Sequence, residues 1–442
     1  MKQYLGLWVV CLVLTSQPLA WSQNPAYITL DQAIAIVLTD NPQVKTAELD
    51  KQIALSQIRE AKSAFLPQVN AKLNYQYNFR VPTQLIPAAT FGGPAGEFRA
   101  AQLGVAQSVT IGLQAEQVIY NPILNVGLQM ADLGIEITDK QVRLNQETAV
   151  YNVCNAYYNL QALYKRAEYL QMNVSSLDKL AATAQRLQKQ GFSKQIDVDR
   201  LLLSKQNVEV QLQNLVLMQV QLENTLKLLL NMPFEQPLQI DTALHLPDKY
   251  SLTDDFTRTE MEMVDMQLKF MELEKKNIRA GFLPRVNATA ALNYWGFNSV
   301  FQPFTAINNQ LYPASFAGLT VVMPVFDGFM KRNQLNTKDL QMQKVMTQRT
   351  TLKQSISMEM INSQNKYNQN LLIFQNLQQN LTLAKRNFDM LQNQYKEGLI
   401  GINDIITAEI ALQEAQGNYL NGLVQIRLAE LDVKKASGNL IK

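Results

Sequence analysis

Two stretches of this 442-residue chain alternate apolar and polar positions with a period of two. In the first, Val69, Ala71, Leu73, Tyr75, Tyr77 and Phe79 alternate with Gln68, Asn70, Lys72, Asn74, Gln76, Asn78 and Arg80. In the second, Val286, Ala288, Ala290, Leu292 and Tyr294 stand against Asn287, Thr289 and Asn293. Such alternation predicts two-faced strands. Each opens on nearly the same words, Ala64-Phe-Leu-Pro-Gln-Val-Asn-Ala and Gly281-Phe-Leu-Pro-Arg-Val-Asn-Ala, at an offset of 217 residues. A helical pattern stops at each Phe-Leu-Pro, and Pro67 and Pro284 suit that switch because proline cannot continue a helix and drives its predecessor towards extended backbone. The chain therefore reads as one structural unit written twice.

Each strand has a return partner. Leu103, Val105, Val109 and Ile111 alternate with Gln102, Ser108 and Thr110, and Leu319, Val321 and Met323 precede Pro324. The connections, Val81 to Phe98 and Phe297 to Tyr312, have the Pro, Gly, Asn and Ala mixture of loops. Two hairpins result, at about residues 67–115 and 284–324. One apolar and one polar face suit a membrane barrel wall, and the first strand is long enough for the roughly 9–11 residues that a tilted membrane strand needs. Tyr75, Tyr77 and Phe79 fall late in it, where an interfacial aromatic girdle belongs. The same alternation also occurs in a soluble sandwich. Four strands cannot close a barrel, since membrane barrels begin at about eight, so copies of the chain would have to share one.

Long proline-free segments run from Ile123 to Gln190 and from Phe329 to Glu397, each roughly 100 Å if helical throughout. Shorter ones return from them, Ser193 to Asn231 and Ile402 to about Leu440. Phe374, Leu377, Leu381, Ala384, Phe388, Leu391 and Tyr395 recur at alternating threes and fours, the period of a coiled-coil seam. Ala167, Leu170, Val174, Leu177, Ala181, Ala184 and Gln188 sit 207 residues earlier, so both halves carry the seam. The two long helices end at matching corners, Gly191-Phe192-Ser-Lys-Gln-Ile-Asp197 and Gly398-Leu399-Ile-Gly-Ile-Asn-Asp404, again 207 apart. Glycine past a helix end supplies the left-handed turn that reverses the chain. Each aspartate falls at the start of the returning helix, where the dipole favours negative charge, and that alone would account for it.

Residues 1–22 read as a signal peptide: Lys2, an apolar core from Leu5 to Leu14 too short to span a bilayer, and small residues in Ala20-Trp21-Ser22. Cleavage falls after Ser22, or alternatively after Ala20. The mature chain keeps one cysteine, Cys154, read as a packed thiol, so no disulfide framework forms within it. Losing Lys2 lowers the formal charge from +3 to +2, and no basic stripe supports a nucleic-acid partner. The one histidine, His245, sits in a proline-containing linker, and without a second histidine or clustered cysteines no zinc or haem site has its ligands. Phosphate loops and nucleophile elbows are missing as well, so neither an enzyme nor a cofactor is expected. No mature stretch is apolar enough for a transmembrane helix, so a membrane role would have to use strands.

Taken together, the Phe-Leu-Pro junctions, the paired helical hairpins with Gly then Asp six later, Asp327-Gly328 after Met-Pro-Val-Phe326, and Ile28-Thr-Leu-Asp-Gln-Ala-Ile-Ala before Asp40-Asn-Pro42 resemble the TolC-like outer-membrane efflux proteins. The resemblance covers essentially the whole mature chain. It implies a mainly α-helical protein with a membrane β-barrel portion: a homotrimer in which four strands per chain complete a twelve-stranded barrel in outer-membrane lipid, above a periplasmic coiled-coil tunnel. Its partners would be a periplasmic adaptor and an inner-membrane pump, with Gly191, Phe192, Gly398 and Leu399 as the adaptor-contact tips. Asp404 matches an aspartate ring at the periplasmic mouth, Tyr395 a tyrosine that holds the mouth shut, and Asp197 its partner on the neighbouring hairpin. Two positions depart from the family pattern: Ile400 stands where a lock arginine is found, and Thr407 where the ring has a second aspartate. Both leave the closed-state network and any cation filter weaker.

The domain order expected is a signal peptide (1–22), a first repeat (23–231), an inter-repeat linker and equatorial region (232–255) and a second repeat (256–442). The short helix Leu30 to Thr39 and the C-terminus would join the linker in a belt around the tunnel. The function implied is a passive export duct. The competing reading is an exported coiled-coil structural or adhesive protein without a pore.

Overall fold

The computed structural model describes residues 26–246, 258–298 and 311–441. The signal-peptide stretch 1–22, linker positions 247–255 and most of the second hairpin's connection lie outside the described residues. Helices dominate. In chain order the elements are β1 (Ala26–Ile28), α1 (Leu30–Asp40), α2 (Pro42–Ser63), β2 (Gln68–Tyr77), β3 (Thr83–Pro87), β4 (Phe98–Gln102), β5 (Gln107–Tyr120), α3 (Pro122–Lys189), α4 (Gln195–Leu229), β6 (Leu238–Ile240), α5 (Thr259–Ala280), β7 (Arg285–Asn298), β8 (Tyr312–Val322), α6 (Met330–Lys396) and α7 (Ile402–Ala436). The chain forms two compact units: Met1–Pro42, Thr148–Ser251 and Ser363–Lys435 make one, and Gln43–Glu147, Leu252–Asn362 and Ala436–Lys442 the other.

The second unit holds a four-stranded antiparallel sheet in the order β2-β5-β7-β8. Its register sorts side chains by parity. Ala71, Leu113, Leu292 and Ser315 share one rung, and Leu73, Ile111, Tyr294 and Pro313 the next on the same face. The opposite face carries Asn70 beside Gln114 and Asn74 beside Thr110, and there Lys72 donates to Gln114, which donates to Glu116. Across its middle rungs the apolar face is uncovered among the described residues, with Leu73 64% and Leu292 60% exposed, whereas Val109 and Gln107 further along it are buried. Gly112 is required by close approach, because a Cβ there would come within 2.6 Å of the Leu292 carbonyl oxygen across the β5–β7 ladder.

The strands depart from the sequence reading in four places. Its second strand runs to Tyr120, past residue 115, because Gln117 and Val118 reverse the polarity pattern before a bulge between Val118 and Tyr120 and so hide the strand's end. Leu103 and Val105 precede that strand, cut off by Gly104 at φ +148°. The expected loop from Val81 to Phe98 contains β3, which pairs with β4 just beyond it in a second hairpin closed by a 3-10 turn at Ala88–Phe91 and by Gly92 at φ +78°. In the second repeat, Phe297 belongs to β7 and Met323 lies beyond β8.

Pro67 and Pro284 stand immediately before β2 and β7. Pro324 comes two residues after β8, and the chain then turns through Gly328 and Phe329, both at positive φ, into α6. Asp327 anchors that turn through the Lys331 ammonium at 2.8 Å, and the same ammonium lies 4.9 Å from the centre of the Phe282 ring. Helices α5 and α6 run antiparallel, stitched by Asp265–Arg349 (2.5 Å), Glu274–Lys338 (2.9 Å) and Lys275–Asp339. The Arg349 guanidinium holds the Asp265 carboxyl below the ordinary carboxylate range. At the start of α5 the buried Arg258 binds Glu260, Glu359 and the Ala436 carbonyl.

In the first unit a parallel pair, β1 with β6, joins the chain's beginning to the inter-repeat segment. Composition alone did not show this pairing, because each strand has three residues. Tyr157, fully buried on α3, donates to the Ile28 carbonyl (3.0 Å) and accepts from the Asp241 amide (3.2 Å). Thr29 and Gln32 form a reciprocal capping box at α1. The seam positions Leu170, Val174, Leu177, Ala181, Ala184, Phe388 and Tyr395 all lie in the buried core, packed with Leu201, Ile405 and Leu412 of the returning helices. Burial pushes the Cys154 thiol up to about 12, so it stays protonated and unreactive. His245 is exposed, and its backbone carbonyl accepts from Arg427.

Candidate functional site: the two helical corners

Both corners close in the same way. Phe192 N donates to Leu187 O (2.9 Å) and Gly191 N to Gln188 O (2.9 Å); Leu399 N donates to Gln394 O (3.0 Å) and Gly398 N to Tyr395 O (3.0 Å). This double bond pattern needs a left-handed residue, and Gly191 and Gly398 supply it at φ +82° and +74°. It also projects the following side chain outwards: Phe192 is 80% and Leu399 69% exposed.

The two aspartates differ in use. Asp197 caps α4, accepting from the Lys194 amide (3.0 Å) and the Ser193 hydroxyl (3.1 Å). Asp404 is exposed in the first turn of α7. Tyr395 is buried, its hydroxyl short of a regular hydrogen bond. Burial first, and the Asp197 charge second, hold its pKa above the ordinary value, while Ser193 pulls the other way. Tyr395, Ser193 and Asp197 thus come together within one chain. At the two departing positions, Ile400 packs against the core and Thr407 hydrogen-bonds to the Asn403 carbonyl of its own helix.

Three interactions near the corners were not foreseen. Arg200 of α4 donates to Asn403 of α7 at 2.6 Å. Gln392 of α6 donates to Ser176 of α3 at 3.1 Å. Glu409 of α7, buried, accepts from Ser204 (3.4 Å) and Gln413. Apart from Gln413, four residues on in the same helix, these partners do not follow from spacing along one helix, because each comes from another helix, although an acid inside the apolar run Ile405 to Leu412 is a visible anomaly. Burial raises the Glu409 pKa, with the Gln413 and Ser204 hydrogen bonds opposing. A carboxyl with a raised folded-state pKa contributes stability below its unfolded pKa and loses it as pH rises through the folded one. Thermal unfolding followed upwards from about pH 4 should therefore show a contribution that falls with rising pH and that Glu409→Gln removes. An unchanged slope in the variant would contradict this.

Among the described residues no group of His, Cys, Asp or Glu is placed to hold a metal ion, and no helix is long and apolar enough to cross a membrane. What the fold offers is a pair of long helical hairpins joined to a sheet with one apolar face: the architecture of an outer-membrane channel-tunnel. The chain belongs to the outer membrane efflux protein family, whose profile matches residues 33–232 and 274–439. Proteins of this family are channels, not enzymes, and the protein is placed in the outer membrane with its helical part in the periplasm.

Solved structures share the fold. The Campylobacter jejuni CmeC outer membrane channel aligns with TM-score 0.73 at 15% identity, over 93% of this chain and 85% of that one. Vibrio cholerae VceC gives 0.69 at 16%, over 92% and 96%. The open state of the Neisseria gonorrhoeae MtrE channel gives 0.69 at 18%, over 93% and 89%. No curated protein matches this chain in sequence.

Proposed function

We propose that three copies of this chain assemble into a passive duct that carries substrates from a periplasmic adaptor and inner-membrane pump to the exterior. One observation carries the reading: a sheet with a largely exposed apolar face, a polar face and, among the described residues, two unpaired edges, β2 and β8. Each unpaired backbone group in lipid costs several kcal/mol, so such a sheet is stable in a bilayer only when its edges are joined. Pairing β8 of each copy with β2 of the next gives a closed barrel of twelve strands, with lipid outside and water within. Mass measurement in mild detergent should return three chains. A monodisperse monomer that keeps its β signal would refute the shared barrel.

In that trimer Asp404 recurs three times around the periplasmic mouth. Converging carboxylates favour cations because their charge acts in a constricted space. Tyr395 and Asp197 are placed to hold the corners together, and the exposed Phe192 and Leu399 are the adaptor-facing tips. Asp404→Asn should lower cation preference in planar-bilayer recordings and weaken block by trivalent cations. Unchanged selectivity in an intact trimer would leave Asp404 with only its favourable place at a helix N-terminus.

A further inference from the structure

The hairpin of β3 and β4 follows β2 at the end of the sheet away from the helices, and with the helices in the periplasm that end faces outwards. Its register puts Leu85 opposite Ala100 and Pro87 opposite Phe98 on one face. Gln84 and Arg99 lie on the other, where Ile86 is half-buried. The first face is uncovered among the described residues: Leu85 is 70% and Phe98 66% exposed. Phe91, in the 3-10 turn that closes the hairpin, is exposed as well. The connection out of β2 prolongs the apolar face of the sheet, because the exposed Phe79 ring meets the Tyr77 ring edge-on at 5.2 Å. Between residues 78 and 106 the charged side chains are Arg80, Arg99 and Glu97, two exposed cations to one acid.

We infer that this hairpin is a lipid anchor, laid on the outer leaflet with Leu85, Phe91 and Phe98 in the acyl boundary and Arg80 and Arg99 on lipid phosphates. The inference rests on the export-duct reading, which sets the apolar face of the sheet in lipid. Continuity fixes the side: a ribbon joined to that face through Tyr77 and Phe79 starts at the edge of the acyl layer. One apolar and one polar face is the pattern of an element that lies in the membrane interface instead of crossing it. Left in water, the same face would be an exposed apolar patch with no purpose. Charge fixes the partner. Two arginines against one acid favour anionic headgroups, and the planar guanidinium matches phosphate oxygens in pairs. Arg99 reaches them from the polar face, its stem lying along the ribbon and its head in the headgroup layer.

The test attaches a fluorophore to single introduced cysteines in the full assembly, reconstituted in vesicles of phosphatidylcholine and phosphatidylglycerol with brominated acyl chains. Buried Cys154 stays unlabelled. Phe98→Cys and Leu85→Cys report the apolar face of the hairpin, Gln84→Cys its polar face and Leu73→Cys the wall of the barrel. Bromine should quench the labels at 98, 85 and 73 at least about twofold more than the label at 84. Bromine confined to phosphatidylglycerol should act at position 98 with an apparent affinity roughly fivefold above bromine confined to phosphatidylcholine. Arg80→Gln combined with Arg99→Gln should bring that preference close to one. Equal quenching at 84 and 98 would overturn the inference. So would a label at 98 reached by iodide in the water but not by bromine, or reached by neither, as packing against another copy would give. A lipid preference indifferent to the arginine replacements would overturn it too. The wall keeps the two readings apart: if bromine does not reach position 73 the duct itself fails, whereas a quenched wall beside an unquenched hairpin counts against the anchor alone.

Discussion

Arginine in place of Leu292 is expected to cost each chain about 2–4 kcal/mol, while arginine in place of Asn74 is tolerated. Leu292 lies midway up the sheet, in register with Leu113 and Ser315 and on the face where it is 60% exposed. In the proposed barrel that position meets the middle of the bilayer, where an arginine side chain has the furthest to reach to water. Asn74 belongs to the opposite parity, beside Thr110, and its replacement would project into the water-filled interior. Because three copies carry each change, the Leu292 cost applies three times per assembly. Amounts of heat-modifiable trimer in the outer membrane, and urea unfolding of the purified protein, should both separate the two variants. Equal loss at both positions would remove the distinction between a lipid and a water face. Labelling of cysteines at Tyr75 and Asn74 by lipid-soluble and water-soluble reagents gives the same answer without a charge.

The second large effect lies in the helical unit. Tyr157→Phe should destabilise that unit by about 1–3 kcal/mol. The hydroxyl is fully buried and serves two backbone groups, the Ile28 carbonyl and the Asp241 amide, which belong to the segments carrying β1 and β6. Phenylalanine fills the same volume, so packing is unchanged and the loss reports desolvated backbone groups left without a partner. Circular dichroism melts of detergent-solubilised protein should show it, with amide exchange quickening first around Ile28 and Asp241. A melt that matches wild type would mean that water replaces the hydroxyl.

The sequence made some of this architecture plain and concealed the rest, for physical reasons. The first strand was legible because every residue from Gln68 to Tyr77 keeps strict parity, as lipid on one side and water on the other demand. The end of β5 was concealed because Gln117 and Val118 break that parity close to a bulge. The seam from Phe374 to Tyr395 was legible because coiled-coil packing imposes its own period on one helix. The pairing of β1 with β6 joins segments about 210 residues apart, and nothing local marks three-residue strands as partners. At the corners the glycines announced the turns. Glu409 with Ser204 and Arg200 with Asn403 arise where different helices meet, and single-helix periodicity is blind to them.

The order β2-β5-β7-β8 has a consequence for biogenesis. Its central ladder pairs Gln107 with Asn298, and the whole first helical hairpin lies between them in the chain. That ladder cannot form until synthesis has passed the end of β7, which makes it a slow step of high contact order. Among the described residues the two edges left over are β2 of the first repeat and β8 of the second, so in the proposed trimer closure waits on other molecules. The approach to the membrane is then a race in which insertion should depend steeply on chain concentration. At low expression, half-closed sheets would accumulate as the species that chaperones and proteases of the periplasm must clear.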